Sequence, residues 1–305
     1  MLHSPITGSG NVRLVRQFSS SYIVGIYGKR LSIEVTRFFT GIEEIALYEC
    51  CDTGYLFFYP FSVTGDAGLY QELQQIPWYY SKSRLEHAEA VRAIAEQHKV
   101  LEVGCGDGFF LKKLRDKEVD AVGLEMNPGA INKALSEKLS VVNETIEEHA
   151  TGHAGSYDVV VSFQVLEHIP KVKPFLDACL RVLKPGGLLI ISVPNNDAAY
   201  HKHADDPLNM PPHHMGRWGV NSLIALQSFY PAKLARMVTD ANTPPEWLGD
   251  YAMKKTERRL RDRFGWPGLL IARVSEAFIK FGAQTTLDLI PGQTITAFFN
   301  KDKER

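Results

Sequence analysis

Three glycines at alternate positions form the first candidate binding site of this 305-residue chain. In LEVGCGDGFF, residues 101–110, Gly104, Gly106 and Gly108 follow an apolar run and precede a stretch with helical character. Glycines permit positive φ angles and let a ligand approach the backbone closely. The N-terminus of a helix then offers free N–H groups to a polar or anionic ligand group. The pattern therefore predicts a strand, a tight turn and a helix that bind a ligand together.

A carboxylate follows at the end of the next apolar run, AVGLE, where Glu125 lies 21 positions after Gly104. An acid at the tip of the second strand can accept hydrogen bonds from two ribose hydroxyls. The glycine spacing, G-x-G-x-G, opposes an NAD-dependent oxidoreductase, because the dinucleotide fingerprint has its third glycine one residue later. That enzyme class is kept as the weaker alternative.

Histidines form a second candidate site. His168 lies in QVLEHIP after the fourth apolar run, and His213 and His214 lie in PPHHMGRW after the fifth. Ligands bind at the carboxyl ends of the strands in open α/β sheets, so all three histidines lie where a pocket is expected. We expect one of them to act as a general base, or else all of them to close and brace the site through hydrogen bonds. Of the adjacent pair, we expect only one to face the cavity.

Alternating strand and helix patterns must position these residues. From Lys99 onward, continuous apolar runs alternate with helical stretches, as is typical of parallel strands covered on both faces. The helix predicted over 172–183 has an apolar stripe that includes Cys179. A helix over 83–97 precedes the first of these strands, AKLARMV is a strand or a short helix, and TITAFFNK predicts a last strand.

Four motifs resemble the successive motifs of class I S-adenosylmethionine-dependent methyltransferases: LEVGCGDG, GLEMNP, YDVVVSFQVLEHIP and LKPGGLLIISVPN, within residues 83–195. The resemblance implies a Rossmann-like α/β sheet of seven mostly parallel strands, with S-adenosylmethionine as the cofactor. It also implies methylation of a small-molecule acceptor, a sugar or another metabolite, chiefly at oxygen. A non-catalytic subunit that binds the same cofactor is the second alternative.

The resemblance further implies which residues surround the cofactor, from the methionyl group to the adenine. They are Glu102, Gly104, Cys105, Gly106, Gly108, Glu125, Met126, Thr145, Ile146, Phe163 and Gln164. Some quinone-biosynthesis members of the class bind a metal through an acid-x-x-Glu-His pattern. Gln164 stands at the acid position here, so we expect no metal ion. The adjacent Cys50 and Cys51 lack the C-x-x-C spacing of a zinc module, so we expect no structural zinc.

The chain divides into four segments on this reading. Residues 1–80 are rich in β-branched and aromatic residues, which predicts short strands in SSSYIVGIYG, LSIEVTRFF, IEEIALYECC and GYLFFYPF, forming a cap over the acceptor side. The cofactor-binding core spans 81–240, a helical insertion spans 241–290, and the final strand and tail of the core span 291–305.

Charge and composition exclude several classes of partner. A formal net charge of −1, from 34 basic and 35 acidic residues, argues against nucleic acid, and SFQVLEH replaces the Pro-Pro-aromatic motif of DNA base-amino methyltransferases. No apolar run approaches the ~18 residues of a membrane span. The N-terminus lacks a signal pattern and the four cysteines fit reduced thiols, so we expect a cytoplasmic protein. The basic stretch 254–263 predicts a solvated face, and the amphipathic stretch after it could contact the domain, a dimer partner or a membrane surface.

Overall fold

The computed structural model describes residues 2–76, 85–198, 205–240 and 292–303. The predicted helical insertion at 241–290, with its basic stretch, lies outside these described residues. Within the described ranges, no helix has the length and apolar character that a membrane span requires.

The N-terminal region mixes strands with helices. In chain order its elements are β1 (Val12–Ser19), α1 (Ser20–Leu31), β2 (Glu44–Cys50), β3 (Leu56–Tyr59) and α2 (Ala67–Gln74). The prediction of a strand in SSSYIVGIYG is wrong over most of its length. The Ser19 side chain accepts a hydrogen bond from the Tyr22 N–H and begins α1, which buries Ile23 and Tyr27 four residues apart. The apolar residues there have helical spacing, which β-branched composition alone did not indicate.

Two further segments of this region differ from the expected strands. LSIEVTRFF ends in a 3-10 helix over Thr36–Phe39 instead of a strand. The helix α2 follows β3 at a place where the sequence pattern predicted no helix. Asp66 caps this helix by accepting a hydrogen bond from the Leu69 N–H at 2.9 Å. The predicted strands in IEEIALYECC and GYLFFYPF are confirmed as β2 and β3.

The core alternates strands and helices as predicted. Its elements are α3 (Leu85–Ala93), β4 (Lys99–Val103), α4 (Phe109–Arg115), β5 (Asp120–Leu124), α5 (Pro128–Ser136), β6 (Val141–Val142), α6 (Ile146–His149), β7 (Tyr157–Phe163), α7 (Val172–Val182), β8 (Leu183–Pro194), β9 (Gly216–Arg217), α8 (Val220–Ala225), β10 (Ala232–Thr239) and β11 (Thr294–Lys301).

Seven strands form the central sheet in the order β10-β11-β8-β7-β4-β5-β6. The pairs β4–β5, β5–β6, β4–β7 and β7–β8 are parallel, and β11 runs antiparallel to both of its neighbours. The predicted mostly parallel α/β sheet is therefore confirmed, with AKLARMV and TITAFFNK as its antiparallel edge pair. Because parallel strands end at the same edge, the loops after β4, β5 and β7 lie side by side.

The predicted apolar stripe on α7 is confirmed. Val172, Phe175, Leu176 and Cys179 are all buried and belong to the largest apolar cluster of the protein. Burial raises the pKa of the Cys179 thiol, so this cysteine behaves as a small core side chain. The stripe fixes α7 against the sheet and so fixes the loop between β7 and α7.

A second sheet joins the N-terminal region to the core. Its order is β1-β2-β3-β9, all antiparallel, so its fourth strand comes from the chain after β8. The Phe58 N–H donates to the Met215 carbonyl at 2.9 Å, and the Met215 N–H donates to the Glu167 carbonyl at 2.8 Å. The segment that precedes β9 is therefore held between the N-terminal sheet and the loop after β7.

Candidate functional site

A cavity of about 900 Å³ lies at the carboxyl ends of β4, β5 and β7. Apart from Gly108, every site residue predicted from the sequence lines it. These are Glu102, Gly104, Cys105, Gly106, Glu125, Met126, Thr145, Ile146, Phe163, Gln164, His168, His213 and His214. Cavities of this size are typical of sites for cofactors and small molecules.

The glycine turn has the geometry that its spacing predicts. Gly104, Gly106 and Gly108 have φ angles of +74°, +54° and +78°, a region that side chains with a Cβ rarely occupy. A Cβ on Gly104 would lie 2.5 Å from Val165 Cγ2. The turn after β4 and the loop after β7 therefore touch at a point where only a hydrogen fits.

Gly108 has a different place from the other two glycines. It is the residue that begins α4, and a Cβ there would lie 2.3 Å from Leu139 Cδ1 and 3.4 Å from the Cβ of Ala134. Its small size therefore lets α4 approach α5 and the segment before β6. Gly108 therefore supports the turn on the side that packs against α5, and it does not line the cavity.

Glu125 joins the tip of β5 to the glycine turn. Its carboxylate accepts hydrogen bonds from the backbone N–H groups of Gly106, Met126 and Asn127, each at 2.8 Å. These three contacts fix the carboxylate at the edge of the cavity. Since a carboxylate offers about four acceptor positions, it retains capacity for a ligand hydroxyl.

Three carboxylates surround the turn. Glu102 lies at 4% exposure on β4, and its Oε2 has no hydrogen-bond partner among the described residues. Burial raises the pKa of Glu102 well above its usual range, and the negative charges of Glu125 and Asp107 raise it further. Asp107 pairs with the Lys133 ammonium at 2.6 Å. Asp107 is paired with this lysine and the raised pKa of Glu102 favours its protonated form, so the net negative charge at this end of the cavity is that of the Glu125 carboxylate.

Thr145 and Ile146, which follow β6, line the cavity and also form the start of α6. Thr145 begins α6, where its Oγ1 accepts from the Glu148 N–H at 3.2 Å and the Glu148 carboxylate accepts from the Thr145 N–H at 2.9 Å. This reciprocal cap fixes the backbone that carries the buried Ile146. Met126 is half-exposed and also lines the cavity. The pair formed by Ile146 and Met126 gives this end of the cavity apolar walls.

Gln164 has an unusual backbone conformation for a residue with a side chain. Its φ angle is +55°, in the left-handed region, where strain is common near functional sites. Its side-chain amide donates to Ser192 Oγ at 3.1 Å, and its N–H donates to the Ser192 carbonyl at 2.8 Å. Two contacts to β8 therefore hold the turn that follows Phe163.

His168, His213 and His214 form one cluster. Their ring centroids lie 4.6 Å apart for His168 and His213, 4.8 Å for His168 and His214, and 4.5 Å for the stacked pair His213 and His214. The expectation that only one of the adjacent pair faces the cavity is wrong. The backbone N–H groups of His213 and His214 both donate to the Met210 carbonyl at 3.1 Å, so the segment turns tightly there. Both residues line the cavity.

Burial decides the protonation of His168 and His213. It lowers the pKa of His168 to about 4, although the backbone carbonyls of His213 and Gln164 favour the protonated ring. Burial also lowers the pKa of His213 well below its usual range, and the neighbouring His168 adds to that effect. Both imidazoles are therefore neutral at neutral pH, and a neutral ring keeps one nitrogen lone pair that can accept a proton or bind a cation.

The helix α2 contributes residues that sequence reasoning missed. The Tyr70 ring meets the His168 ring edge-on at 5.5 Å, and Gln74 Oε1 accepts from the Asn127 side-chain amide at 3.0 Å. The N-terminal region therefore forms one wall of the cavity. The signal in the sequence was Asp66, a good N-cap, followed by Leu69 and Leu73 at helical spacing.

The chain is similar to curated methyltransferases over part of its length. The ubiquinone biosynthesis O-methyltransferase of Cronobacter sakazakii is 40% identical over 106 residues, which is 33% of this chain and 44% of that protein. The protein of the same name from Pectobacterium atrosepticum is 38% identical over 106 residues, with the same shares. The match thus spans less than half the length of these relatives.

The fold and the family profile agree with this similarity. A solved S-adenosylmethionine-dependent methyltransferase from Archaeoglobus fulgidus superposes with a TM-score of 0.50 at 18% identity, covering 76% of this chain and 100% of that one. The profile of the methyltransferase domain matches residues 74–243, more than half of the chain. The chain therefore belongs to the methyltransferase domain family.

Proposed function

We propose that the protein transfers a methyl group from S-adenosylmethionine to a hydroxyl oxygen of a small-molecule acceptor. The observation that carries the proposal is the set of three carboxylates, Glu102, Asp107 and Glu125, around a glycine turn at the edge of the sheet. The cofactor brings an ammonium and a sulfonium group. A negative potential attracts both, and their positive charge offsets the cost of a buried, ionised Glu102.

The same carboxylates argue against a nicotinamide dinucleotide. Its pyrophosphate is anionic and would lie at the glycine turn, where it needs free N–H groups. Here the Gly106 N–H already donates to Glu125, and Asp107 lies beside the turn. The negative charges of Glu125 and Asp107 would repel the pyrophosphate, which supports S-adenosylmethionine as the cofactor.

Oxygen as the methyl acceptor is supported by the names of the similar proteins, both O-methyltransferases. In the reaction, the acceptor oxygen attacks the methyl carbon in line with the sulfur, the new C–O bond forms and the C–S bond breaks. The products are a methyl ether, S-adenosylhomocysteine and the proton of the hydroxyl. Our proposal places the acceptor beside His168, His213 and His214, whose ring nitrogens can act on that proton.

The setting of the enzyme is part of the same proposal. A net charge of −1 supports a small metabolite over nucleic acid as the acceptor. Four cysteines without a C-x-x-C pair support a reducing, cytoplasmic compartment. A homodimer through the stretch that follows residue 263 is also proposed, since that stretch is amphipathic.

Calorimetry and a product assay test the proposal together. We expect saturable binding of S-adenosylmethionine and S-adenosylhomocysteine, no comparable binding of NAD, and release of S-adenosylhomocysteine with a panel of phenols and sugars. Preferential binding of NAD would reverse the choice of cofactor. Cofactor binding without turnover on any acceptor or cell extract would favour a non-catalytic subunit.

Replacing Glu125 by alanine is expected to weaken binding of S-adenosylmethionine about 10- to 150-fold. Hydrogen bonds to a charged group contribute about 1.5–3 kcal/mol, and the variant also releases the three backbone N–H groups that the carboxylate holds. Titration calorimetry of the variant measures the loss. Glu96→Ala, which removes an exposed acid outside the cavity, is the matched control. Equal affinities for both variants would remove the ribose role of Glu125.

A further inference from the structure

Three histidine nitrogens converge in the cavity from two separate loops. His168 follows β7, whereas His213 and His214 precede β9. One ring nitrogen of each residue lies within 4.8 Å of one nitrogen of each of the others. The sequence pattern placed all three near the expected pocket, but 44 residues separate His168 from the adjacent pair, and no spacing rule predicts that their rings meet.

The protein orients Nδ1 of each histidine through a hydrogen bond. His168 Nδ1 lies 2.7 Å from the His213 carbonyl, His213 Nδ1 lies 2.8 Å from the Leu208 carbonyl, and His214 Nδ1 lies 3.3 Å from Asn209 Oδ1. These oxygens only accept hydrogen bonds, so Nδ1 of each ring carries a proton, and Nε2 is then the nitrogen that can bind a cation. An Nδ1–H that donates to a carbonyl is the usual outer contact of a metal-binding histidine.

A buried carboxylate completes the surroundings of the cluster. Glu167 is 1% exposed, and its Oε1 lies 3.9 Å from His168 Nε2 and 4.0 Å from His214 Nε2. Two of these Nε2 atoms therefore face the same oxygen. The charge of a divalent cation between them would be offset by this carboxylate.

We propose that His168, His213 and His214 form a site for a divalent transition-metal ion, with Glu167 as its acidic neighbour. Three imidazoles suit Zn²⁺, Fe²⁺ or Co²⁺ better than Mg²⁺ or Ca²⁺, which prefer oxygen ligands. Metal–nitrogen bonds of about 2.0–2.1 Å would bring the three nitrogens closer than the 4.8 Å within which they lie. The prediction of no metal considered only the position of Gln164 and did not weigh the histidines before β9.

The site would serve the acceptor side of the cavity. Three protein ligands leave a fourth position toward the cavity, as in catalytic zinc sites. This part of the inference rests on the proposed function: a hydroxyl that binds at the open position loses its proton more readily. Binding of the metal itself does not depend on that function.

Cobalt binding to the chelator-treated full chain tests the proposal directly. We expect one Co²⁺ per chain, with the intense visible absorption of a low-coordinate ion, and displacement by one equivalent of Zn²⁺. His168→Ala and His214→Ala should each weaken binding about 100-fold or more. His153→Ala, which removes an exposed histidine outside the cavity, should bind as the wild type does.

Binding of S-adenosylhomocysteine to the same samples separates the two proposals. Wild-type protein that binds S-adenosylhomocysteine but no stoichiometric Co²⁺ or Zn²⁺ would overturn the metal site and leave the methyltransferase proposal intact. Equal loss of metal in the His153→Ala control would also overturn it, as would tighter binding of Mg²⁺ than of Zn²⁺. Metal binding without cofactor binding would overturn the proposed function alone. The wild-type stoichiometry decides the question even where a histidine variant does not fold.

Discussion

Gly104→Ala is expected to bind S-adenosylmethionine roughly 100-fold more weakly than the wild type. The new methyl group would lie 2.5 Å from Val165 Cγ2, at a residue whose φ angle is +74°. An alanine at position 104 would add about 1–2 kcal/mol of left-handed backbone strain and about 1–3 kcal/mol of overpacking against Val165. The turn can relieve both only by moving, and a displaced turn binds the cofactor more weakly. Titration calorimetry with S-adenosylhomocysteine measures the effect.

A second substitution separates the two causes. Gly104→Ala/Val165→Ala removes the atom that the new methyl group meets and should recover part of the affinity, leaving only the backbone strain. Gly152→Ala is the control, since a Cβ there meets nothing within 4 Å. Wild-type affinity in Gly104→Ala would contradict the role of the turn in cofactor binding.

Alanine at His168, His213 or His214 is expected to lower kcat about 100- to 10,000-fold while leaving the affinity for S-adenosylhomocysteine unchanged. In our proposal these rings act on the acceptor hydroxyl, whereas the cofactor is bound at the carboxylates around the glycine turn. Initial rates at saturating cofactor, with any acceptor found in the panel, give the comparison.

The His153→Ala variant provides the reference rate, because it removes a histidine without touching the cavity. Normal rates in all three cluster variants would leave no role for histidine in the chemistry. A parallel loss of cofactor affinity would show instead that the cluster supports the shape of the cavity as a whole.

The cofactor side of the cavity could be predicted because its residues are local in sequence. A strand, three glycines and an acid at the next strand tip fix one another through short contacts, such as the Gly106 N–H to Glu125. The acceptor side depends on contacts between distant segments. Tyr70 reaches His168 from a helix about a hundred positions earlier, and no spacing rule connects them.

The helix α1 in the N-terminal region also depends on contacts that the sequence pattern does not reveal. Aromatic and β-branched composition predicted strands in YIVGIYG, where the structure has α1. The Tyr27 hydroxyl of that helix donates to the Met210 carbonyl at 3.0 Å, and the Tyr22 hydroxyl contacts Asp205. Tertiary contacts with the chain before β9 favour the helix, and propensity alone does not contain them.

The pairing of β9 with β3 decides which parts of the protein can be exchanged with a relative. The two adjacent histidines reach the cavity on a segment that is hydrogen-bonded into the N-terminal sheet. On the proposed function, a chimaera that received only residues 85–198 would gain the binding site for the methyl donor but not the two adjacent histidines proposed to contact the acceptor. Acceptor choice would be transferred only when residues 2–76 and 205–218 are exchanged together, as one inseparable unit.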